Sequence, residues 1–404
     1  MRVHLTILAI SLLGIVSAQT FTNYTISEGL ISDNVLCLDV ASSDVIWFGT
    51  QNGISVFDGT NWTEHTTSTD PGLVDNNIQA IRVMSNGDVW IGTDFGASLY
   101  TGGSWTTFTT ADGLGNDQIK CIEEDASGNV WFGTNSGASY YDGNTWTNIG
   151  TSDGLPFGGV TAIDFDANDD VLLGSGLGGV AIYDGTVGSI LTSASHGLVD
   201  DRMRGIRTAS NGDRWIGTSE GISVLDASGN NLGYHTTMYT LPAPDTLNPI
   251  EDVEIDNFGN IWVGVYVDYL VTEGGVCAYN GNNWTEYHVA DGLVGPVVRA
   301  LAIDSENSIW IATSSGVSKL SDHQVGLNEV SNQIFSIYPN PTNGNVHVQF
   351  ENQESAVVEV LNANMQRVKS FQLDQNQLTM DLNDLSSGIY FVHIAGTVER
   401  LIKQ

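Results

Sequence analysis

The chain contains 404 residues, of which 41% are hydrophobic, enough for one large domain and a smaller one with substantial cores. It carries 47 acidic residues against 13 basic ones, a formal charge of −34. Such a surface repels phosphate backbones, which argues against nucleic acid as a partner, and it disfavours binding to anionic membranes.

The N-terminal residues 1–18 are predicted to be a signal peptide. Arg2 and His4 supply a short basic start, residues 5–16 are apolar but too few to span a bilayer, and small residues follow at 16–18. We expect the mature chain to begin at Gln19. No other segment is apolar for long enough to be transmembrane.

A short motif, Trp-x-Gly-Thr, recurs in complete or partial form along residues 19–322. Its copies begin at Trp47, Trp90, Trp131, Leu172, Trp215, Trp262 and Trp310. They are 41 to 48 residues apart, and a Trp and a Gly per unit at such a period are typical of a propeller. The spacing therefore predicts an all-β fold, a seven-bladed β-propeller over residues 19–322.

Residues 119–149 show the layout of one repeat. Four short strands alternate with turns at 125–129, 135–137 and 142–144, where Gly and Asn favour a positive φ. Four antiparallel strands of this kind form one blade. The first strands of the seven blades are expected to begin near Val35, Ile78, Ile119, Val160, Met203, Ile250 and Val298.

The last repeat lacks a fourth strand of its own. Residues 21–25, however, precede a Glu-Gly-Leu connector just as residues 105–109 precede an Asp-Gly-Leu connector. We therefore expect the N-terminal strand to complete the seventh blade, which removes the open sheet edges of the ring.

Composition changes after residue 320. Residues 323–333 are expected to form a linker, and residues 334–404 contain no Trp and no blade motif. Alternating strands at 346–350, 357–361 and 389–394 predict a small antiparallel β-sandwich over residues 334–404.

This second domain carries three landmarks: a Pro-rich turn, a Gly-x-Tyr segment and a basic tail. The residues are Tyr338, Pro339, Asn340, Pro341 and Gly344, then Gly388 and Tyr390, then Arg400 and Lys403. Together they resemble the type A sorting domain of the Bacteroidetes type IX secretion system. The resemblance implies the secretion machinery as a partner, passage across the outer membrane, and a product that is secreted or attached to the cell surface.

Within the repeats, residues 125–143 contain Asp-x-x-Gly-Asn, Trp-Phe-Gly-Thr and Gly-x-x-x-Tyr-Asp-Gly. This pattern resembles the two-component-regulator propeller family over residues 21–320. In that family such propellers commonly form periplasmic sensors fused to kinases, often linked to polysaccharide sensing. This chain has seven repeats rather than a double set and no kinase after them, so the resemblance implies the scaffold and ligand binding rather than signalling through this polypeptide.

Propellers usually bind ligands on the face that carries the connections between blades and the turns between second and third strands, which we call the upper face. Two irregular segments of blade six, residues 241–249 and 266–273, are predicted to lie there. Tyr266 and Tyr269 would offer stacking surfaces for a sugar, and Asp268 a polar contact. The alternative is a loop insertion without a function.

Basic residues recur at the second position of the first strands. They are Lys120, Arg204 and Arg299, and Gln79 occupies the same position in blade two. We expect them near the upper end of the central channel, where they would bind an anion such as a uronate carboxylate. The alternative is charge balance with neighbouring Asp or Glu side chains.

No metal or cofactor is assigned from the sequence. Residues 164–170 are rich in Asp but lack the mid-loop Gly and the distal Glu of a calcium loop. The sequence favours a monomeric, non-catalytic recognition propeller that acts at the cell surface or outside it and binds a glycan or a protein partner. The alternatives are an extracellular lyase or other enzyme with its site in the central funnel, and a structural adhesion module.

Overall fold

The computed structural model describes residues 19–241, 247–266, 274–323, 335–350, 356–362, 367–373, 377–394 and 397–404. Contacts divide the chain into two compact units, Met1–Gly326 and Leu327–Gln404. The predicted signal peptide and all of the predicted linker except its first residue lie outside the described residues.

Within the described residues, the first unit contains seven antiparallel sheets of four strands, numbered here as blades in the order of their inner strands. Blade one comprises Val35–Val40, Ile46–Thr50, Gly53–Phe57 and Trp62–His65, and blade two comprises Ile78–Val83, Val89–Thr93, Gly96–Thr101 and Ser104–Phe108. Blade three comprises Ile119–Glu124, Val130–Thr134, Gly137–Tyr141 and Trp146–Gly150, and blade four comprises Val160–Phe165, Val171–Ser175, Gly179–Tyr183 and Val187–Leu191. Blade five comprises Met203–Thr208, Arg214–Thr218, Gly221–Leu225 and Asn231–His235, and blade six comprises Ile250–Ile255, Ile261–Tyr266, Gly274–Tyr279 and Trp284–Tyr287. Blade seven comprises Val298–Ile303, Ile309–Thr313, Gly316–Ser321 and Thr20–Tyr24.

The inner strands form a closed ring. Each packs against the inner strands of the blades before and after it, and the inner strand of blade seven packs against that of blade one. The N-terminal strand Thr20–Tyr24 completes blade seven, because it pairs antiparallel with Gly316–Ser321. The seven inner strands begin at the predicted residues, and the predicted propeller is confirmed.

The Gly-Thr part of the repeated motif has a steric cause. A Cβ atom on Gly49 would lie 2.4 Å from Cys37 Sγ and 2.6 Å from Ile78 Cγ2 of the next blade. Only glycine permits this approach between neighbouring blades. The following Thr50 closes the turn, since its hydroxyl donates to the carbonyl of Gly53 at 2.8 Å.

The motif tryptophans lie between blades. Trp310 of blade seven is buried in a cluster that includes Leu38 and Phe48 of blade one. Its indole Nε1 donates to the carboxylate of Asp304 at 2.9 Å, which satisfies the one polar atom that the buried ring carries. The Asp that begins the hairpin turn is therefore part of the inter-blade packing.

The second unit is a two-sheet antiparallel sandwich. One sheet contains Phe335–Tyr338, Asn345–Phe350 and Gln377–Asp381, and the other contains Arg367–Leu373, Ala356–Leu361, Gly388–Ile394 and Thr397–Lys403. Side chains from both sheets share one buried core, among them Val346, Val348, Val358, Val360, Met380 and Val392. These positions alternate along their strands, as expected for a sandwich.

Among the described residues, helical structure is confined to short turns: the 3-10 segments Thr151–Asp153 and Val289–Asp291 and the α-helical turn Ser193–His196. Across the described part of the chain, no helix combines the length and the apolar character that a membrane span requires.

Candidate functional site: the two ends of the central channel

The inner strands line a central channel with two polar ends. The second residue of each strand lies at the upper end, beside the turns between second and third strands: Leu36, Gln79, Lys120, Thr161, Arg204, Glu251 and Arg299. The fifth residue lies at the lower end, beside the hairpins between first and second strands: Asp39, Arg82, Glu123, Asp164, Arg207, Glu254 and Ala302. The upper end opens into a depression of about 390 Å³ over blades three to six.

Two of the three cations predicted at the upper end contact carboxylates. Lys120 Nζ lies 3.4 Å from Asp94 Oδ1, and both side chains are about one-third exposed. Arg204 donates through Nη1 to Glu251 of the next blade and through Nε to Ser219 Oγ at 3.2 Å. These contacts favour the charge-balance interpretation for Lys120 and Arg204.

Arg299 has different surroundings. Its guanidinium carbon lies 4.9 Å from the centroid of the Tyr266 ring, a cation–π contact. Its Nε is buried without a hydrogen-bond partner, and among the described residues it makes no ion pair like those of Lys120 and Arg204. The upper end therefore contains one guanidinium whose charge no carboxylate of the described chain neutralises.

Tyr266 does not form the exposed stacking surface that the sequence suggested. It is the last residue of the strand Ile261–Tyr266 and is 6% exposed, because its ring packs against Arg299. The structure thus corrects the expected exposure of Tyr266 and places it beside a second candidate residue. Asp268 and Tyr269 lie outside the described residues.

The lower end is a network of alternating charges. Arg82 Nη1 lies 3.1 Å from Glu123 of blade three. Arg207 of blade five lies 2.6 Å from Glu254 through Nη2 and 3.4 Å from Glu123 through Nη1. Each pair joins side chains that project into the channel from different blades, so the network ties the ring together across its axis.

Three more carboxyl groups line the channel and are half-buried. Burial raises the pKa of Asp39 and of Asp164 to about 6 and, reinforced by the nearby Glu254 charge, the pKa of Asp252 to about 7. Asp252 still accepts two backbone hydrogen bonds, from the N–H of Val253 and of Leu301. These groups therefore change protonation close to neutral pH.

The Asp-rich segment of blade four is held by protein groups. Asp166 Oδ2 lies 3.0 Å from Arg214 Nη2, and its Oδ1 accepts from the backbone N–H of Asn168 and of Asp170. Where the structure describes the chain, no three His, Cys, Asp or Glu side chains are grouped so as to hold a metal ion.

In the second unit, the Pro-rich turn lies against the C-terminal strand. Asn340 Oδ1 accepts the backbone N–H of Ile402 at 2.9 Å, while Tyr338, Pro339 and Pro341 are exposed. Gly344 leaves no room for a side chain, because a Cβ atom there would collide with Asn383.

The other two sorting landmarks meet at the same strand. Lys403 is 8% exposed and lies opposite Gly388 in the sheet, and it also forms a parallel bridge with Thr342. Tyr390 is buried, and its hydroxyl donates to the carbonyl of Ser386 at 3.0 Å. The landmarks that the sequence separates by some 60 residues are thus neighbours in the fold.

Sequence reasoning did not assign several charged channel residues to a site. Arg202 lines the upper depression, where it contacts Asp200 at 2.8 Å and Glu220 at 3.1 Å. The whole lower end was also missed, although its signal is visible: the fifth position of six inner strands holds a charged residue. Alignment of the repeats at that position would have found it.

Two protein-family models match different parts of the chain. Residues 336–404 match the secretion system C-terminal sorting domain. The second unit is a sorting domain. Residues 113–136, from the connector into blade three, match the two component regulator propeller. The match to a sorting domain makes the chain a secreted or cell-surface protein. No curated protein matches the chain.

Solved structures share the propeller fold. PorZ, an essential bacterial surface component of the type IX secretion system of Porphyromonas gingivalis, has a TM-score of 0.56 and 15% identity over 93% of this chain. A streptogramin B lyase has a TM-score of 0.58 and 15% identity over 75% of this chain and 97% of its own. YCF48 bound to D1 peptide has a TM-score of 0.55 and 12% identity over 77% of this chain and 97% of its own. This chain spans 60% of the length of PorZ, and at these identities the likeness shows the fold alone.

Proposed function

We propose that this protein is a non-catalytic recognition propeller that binds an anionic ligand, a glycan or a protein segment bearing a carboxylate, at the upper end of its channel. The observation that carries the proposal is Arg299, a guanidinium without a carboxylate partner in the described chain, which lines the same channel as Lys120 and Arg204. Four of the 13 basic residues of the chain lie toward this end of the channel: Lys120, Arg202, Arg204 and Arg299.

The contacts at the upper end suit the exchange of one carboxylate for another. The Lys120–Asp94 contact is long and partly exposed, and ion pairs of this kind contribute about 0–1 kcal/mol. A ligand carboxylate can replace Asp94 at little cost. Arginine then supplies planar, paired donors, which favour a carboxylate over a neutral group.

A lyase is the second candidate, because a streptogramin B lyase shares the fold. An enzyme of that type needs a positioned base in the funnel. Glu251, beside Arg204, is a carboxylate that lines the upper depression. The histidines whose side chains the structure describes lie away from both ends of the channel: His65, His196, His235, His288, His323 and His347.

The proposal predicts a preference for acidic ligands. The full mature chain, residues 19–404, is applied to an array that pairs each uronate-bearing glycan with its neutral counterpart and each acidic peptide with its amide form. We expect the acidic member of at least one pair to bind about tenfold more tightly, the effect of one charge-assisted hydrogen bond. Equal binding within every pair would overturn the proposal, and release of an unsaturated product from a bound uronate would favour the lyase.

A further inference from the structure

The upper face of blade four exposes two large apolar side chains, which we call the blade-four rim: Phe157 and Leu177. Phe157 is 80% exposed and Leu177 is 65% exposed. Phe157 lies in the connector from blade three, and Leu177 lies in the turn between the second and third strands. Single exposed apolar residues are common, but neighbouring ones on a functional face point to a contact surface.

The repeat itself shows that the fold does not require these residues. At the connector position of Phe157, counted from the preceding Gly-Leu pair, the other regular blades have Ser32, Asp75, Asn116, Asp200 and Gly295. In the turn that contains Leu177, blades one, three, five and seven have only polar residues, at 51–52, 135–136, 219–220 and 314–315. Blade four therefore has a large apolar residue at both positions, where most other blades have a polar residue or glycine, although its strands have the same fold.

The two loops of the rim are fixed to each other. Ser175 Oγ donates to the carbonyl of Phe157 and accepts the backbone N–H of Leu177 and of Gly178, at 3.2 and 3.1 Å. Gly158 lies so close that a Cβ atom there would be 2.7 Å from the backbone nitrogen of Leu177. The apolar pair is therefore presented on an ordered backbone, which lowers the entropy lost when a partner binds.

The rim borders the depression of the upper end. Gly176, adjacent to Leu177, lines that depression together with Lys120, Arg202 and Arg204, whose positive charges are paired with carboxylates that a ligand carboxylate would replace. A ligand that reaches the arginines from blade four must pass over the rim. Apolar side chains and exchangeable ion pairs are thus arranged side by side for one ligand.

This arrangement fits a peptide better than a sugar. A sugar ring can stack on Phe157, but sugar hydroxyls placed against Leu177 would lose water without gaining hydrogen bonds, which is unfavourable. An apolar side chain gains from the same contact, and a neighbouring Asp or Glu can reach the arginines. Resting on the anion-binding function proposed above, we propose that the upper face docks a protein segment in which an apolar residue stands next to an acidic one.

The test is selection from a random peptide library displayed on phage, with the full chain of residues 19–404 as bait. We expect the enriched peptides to pair an apolar residue with Asp or Glu. Their affinity should fall at least tenfold for F157S/L177N and also for R204Q. The matched control is F95S, because Phe95 lies in the equivalent turn of blade two and is also 65% exposed; it should bind as the unchanged chain does. Tryptophan fluorescence verifies that each variant is folded.

The outcomes separate this proposal from the function on which it rests. Peptides whose affinity falls for R204Q but not for F157S/L177N overturn the docking proposal and support anion binding. Binding of acidic glycans without binding of any peptide has the same meaning. Peptides that depend on Phe157 and Leu177 but not on Arg204 overturn both. Equal loss in F95S shows nonspecific hydrophobic binding and overturns the docking proposal.

Discussion

At the residue scale, three half-buried carboxyl groups of the channel link stability to pH. The pKa values of Asp39, Asp164 and Asp252 are raised to about 6, 6 and 7, whereas in the unfolded chain they return to the ordinary value near 4. Between about pH 4 and pH 7 the folded protein therefore binds more protons than the unfolded one. The free energy of unfolding must fall as pH rises through this window.

We expect a higher melting temperature at pH 5 than at pH 8, and a smaller difference in Asp252→Asn, which cannot titrate. The charge of −34 also makes the folded protein more stable at acidic pH, because protonation reduces its self-repulsion. The control is therefore Glu64→Gln, which changes the charge equally at an exposed site on the outer strand of blade one. Thermal unfolding followed by tryptophan fluorescence measures both. If Asp252→Asn retains the same pH 5 to pH 8 difference as Glu64→Gln, burial of Asp252 does not control the dependence.

At the scale of the element, the N-terminal strand closes the ring. Tyr24 stacks on Trp310 with ring centroids 5.4 Å apart and also contacts Phe57 of blade one. Phe21 packs against Tyr287 of blade six. The strand thus contributes aromatic contacts to both blades that flank blade seven.

Deletion of residues 19–25 should therefore destabilise the whole propeller, by more than about 3 kcal/mol, the usual cost of removing one large buried aromatic side chain. Denaturant unfolding is followed by tryptophan fluorescence, since all ten tryptophans lie between residues 47 and 310. Thr22→Ala, at an exposed position of the same strand, should leave the midpoint unchanged. A deletion variant with the midpoint of the full chain would show that closure by this strand is unimportant.

The repeat also explains what could be predicted from the sequence. The first residues of the strands and the closure of the ring could be predicted because the same motif recurs in every blade. Ion pairs such as Arg207–Glu254 and Arg204–Glu251 join the same strand position in adjacent blades, so an alignment of the repeats would predict them. The Arg299–Tyr266 contact was not predictable, because it depends on side-chain orientation at the end of a strand whose following loop breaks the repeat.

At the scale of the whole molecule, the two units have separate tasks. The sorting domain gathers its landmarks around the terminal strand at Lys403. The propeller places four of its eight basic residues toward the upper end of its channel, and Arg82 and Arg207 at the lower end. A surface that is acidic elsewhere repels anions, so a carboxylate ligand is expected to bind only where arginine is grouped.

The most direct test of this account is the affinity of one acidic array ligand for two double variants of equal charge change. R204Q/R299Q alters the upper end, and R367Q/K369Q alters the second unit, where both side chains pair with surface acids. Titration calorimetry on the full chain should show at least a tenfold loss for R204Q/R299Q and no change for R367Q/K369Q. Unchanged affinity in R204Q/R299Q, with both variants folded, would contradict recognition at the upper end of the channel.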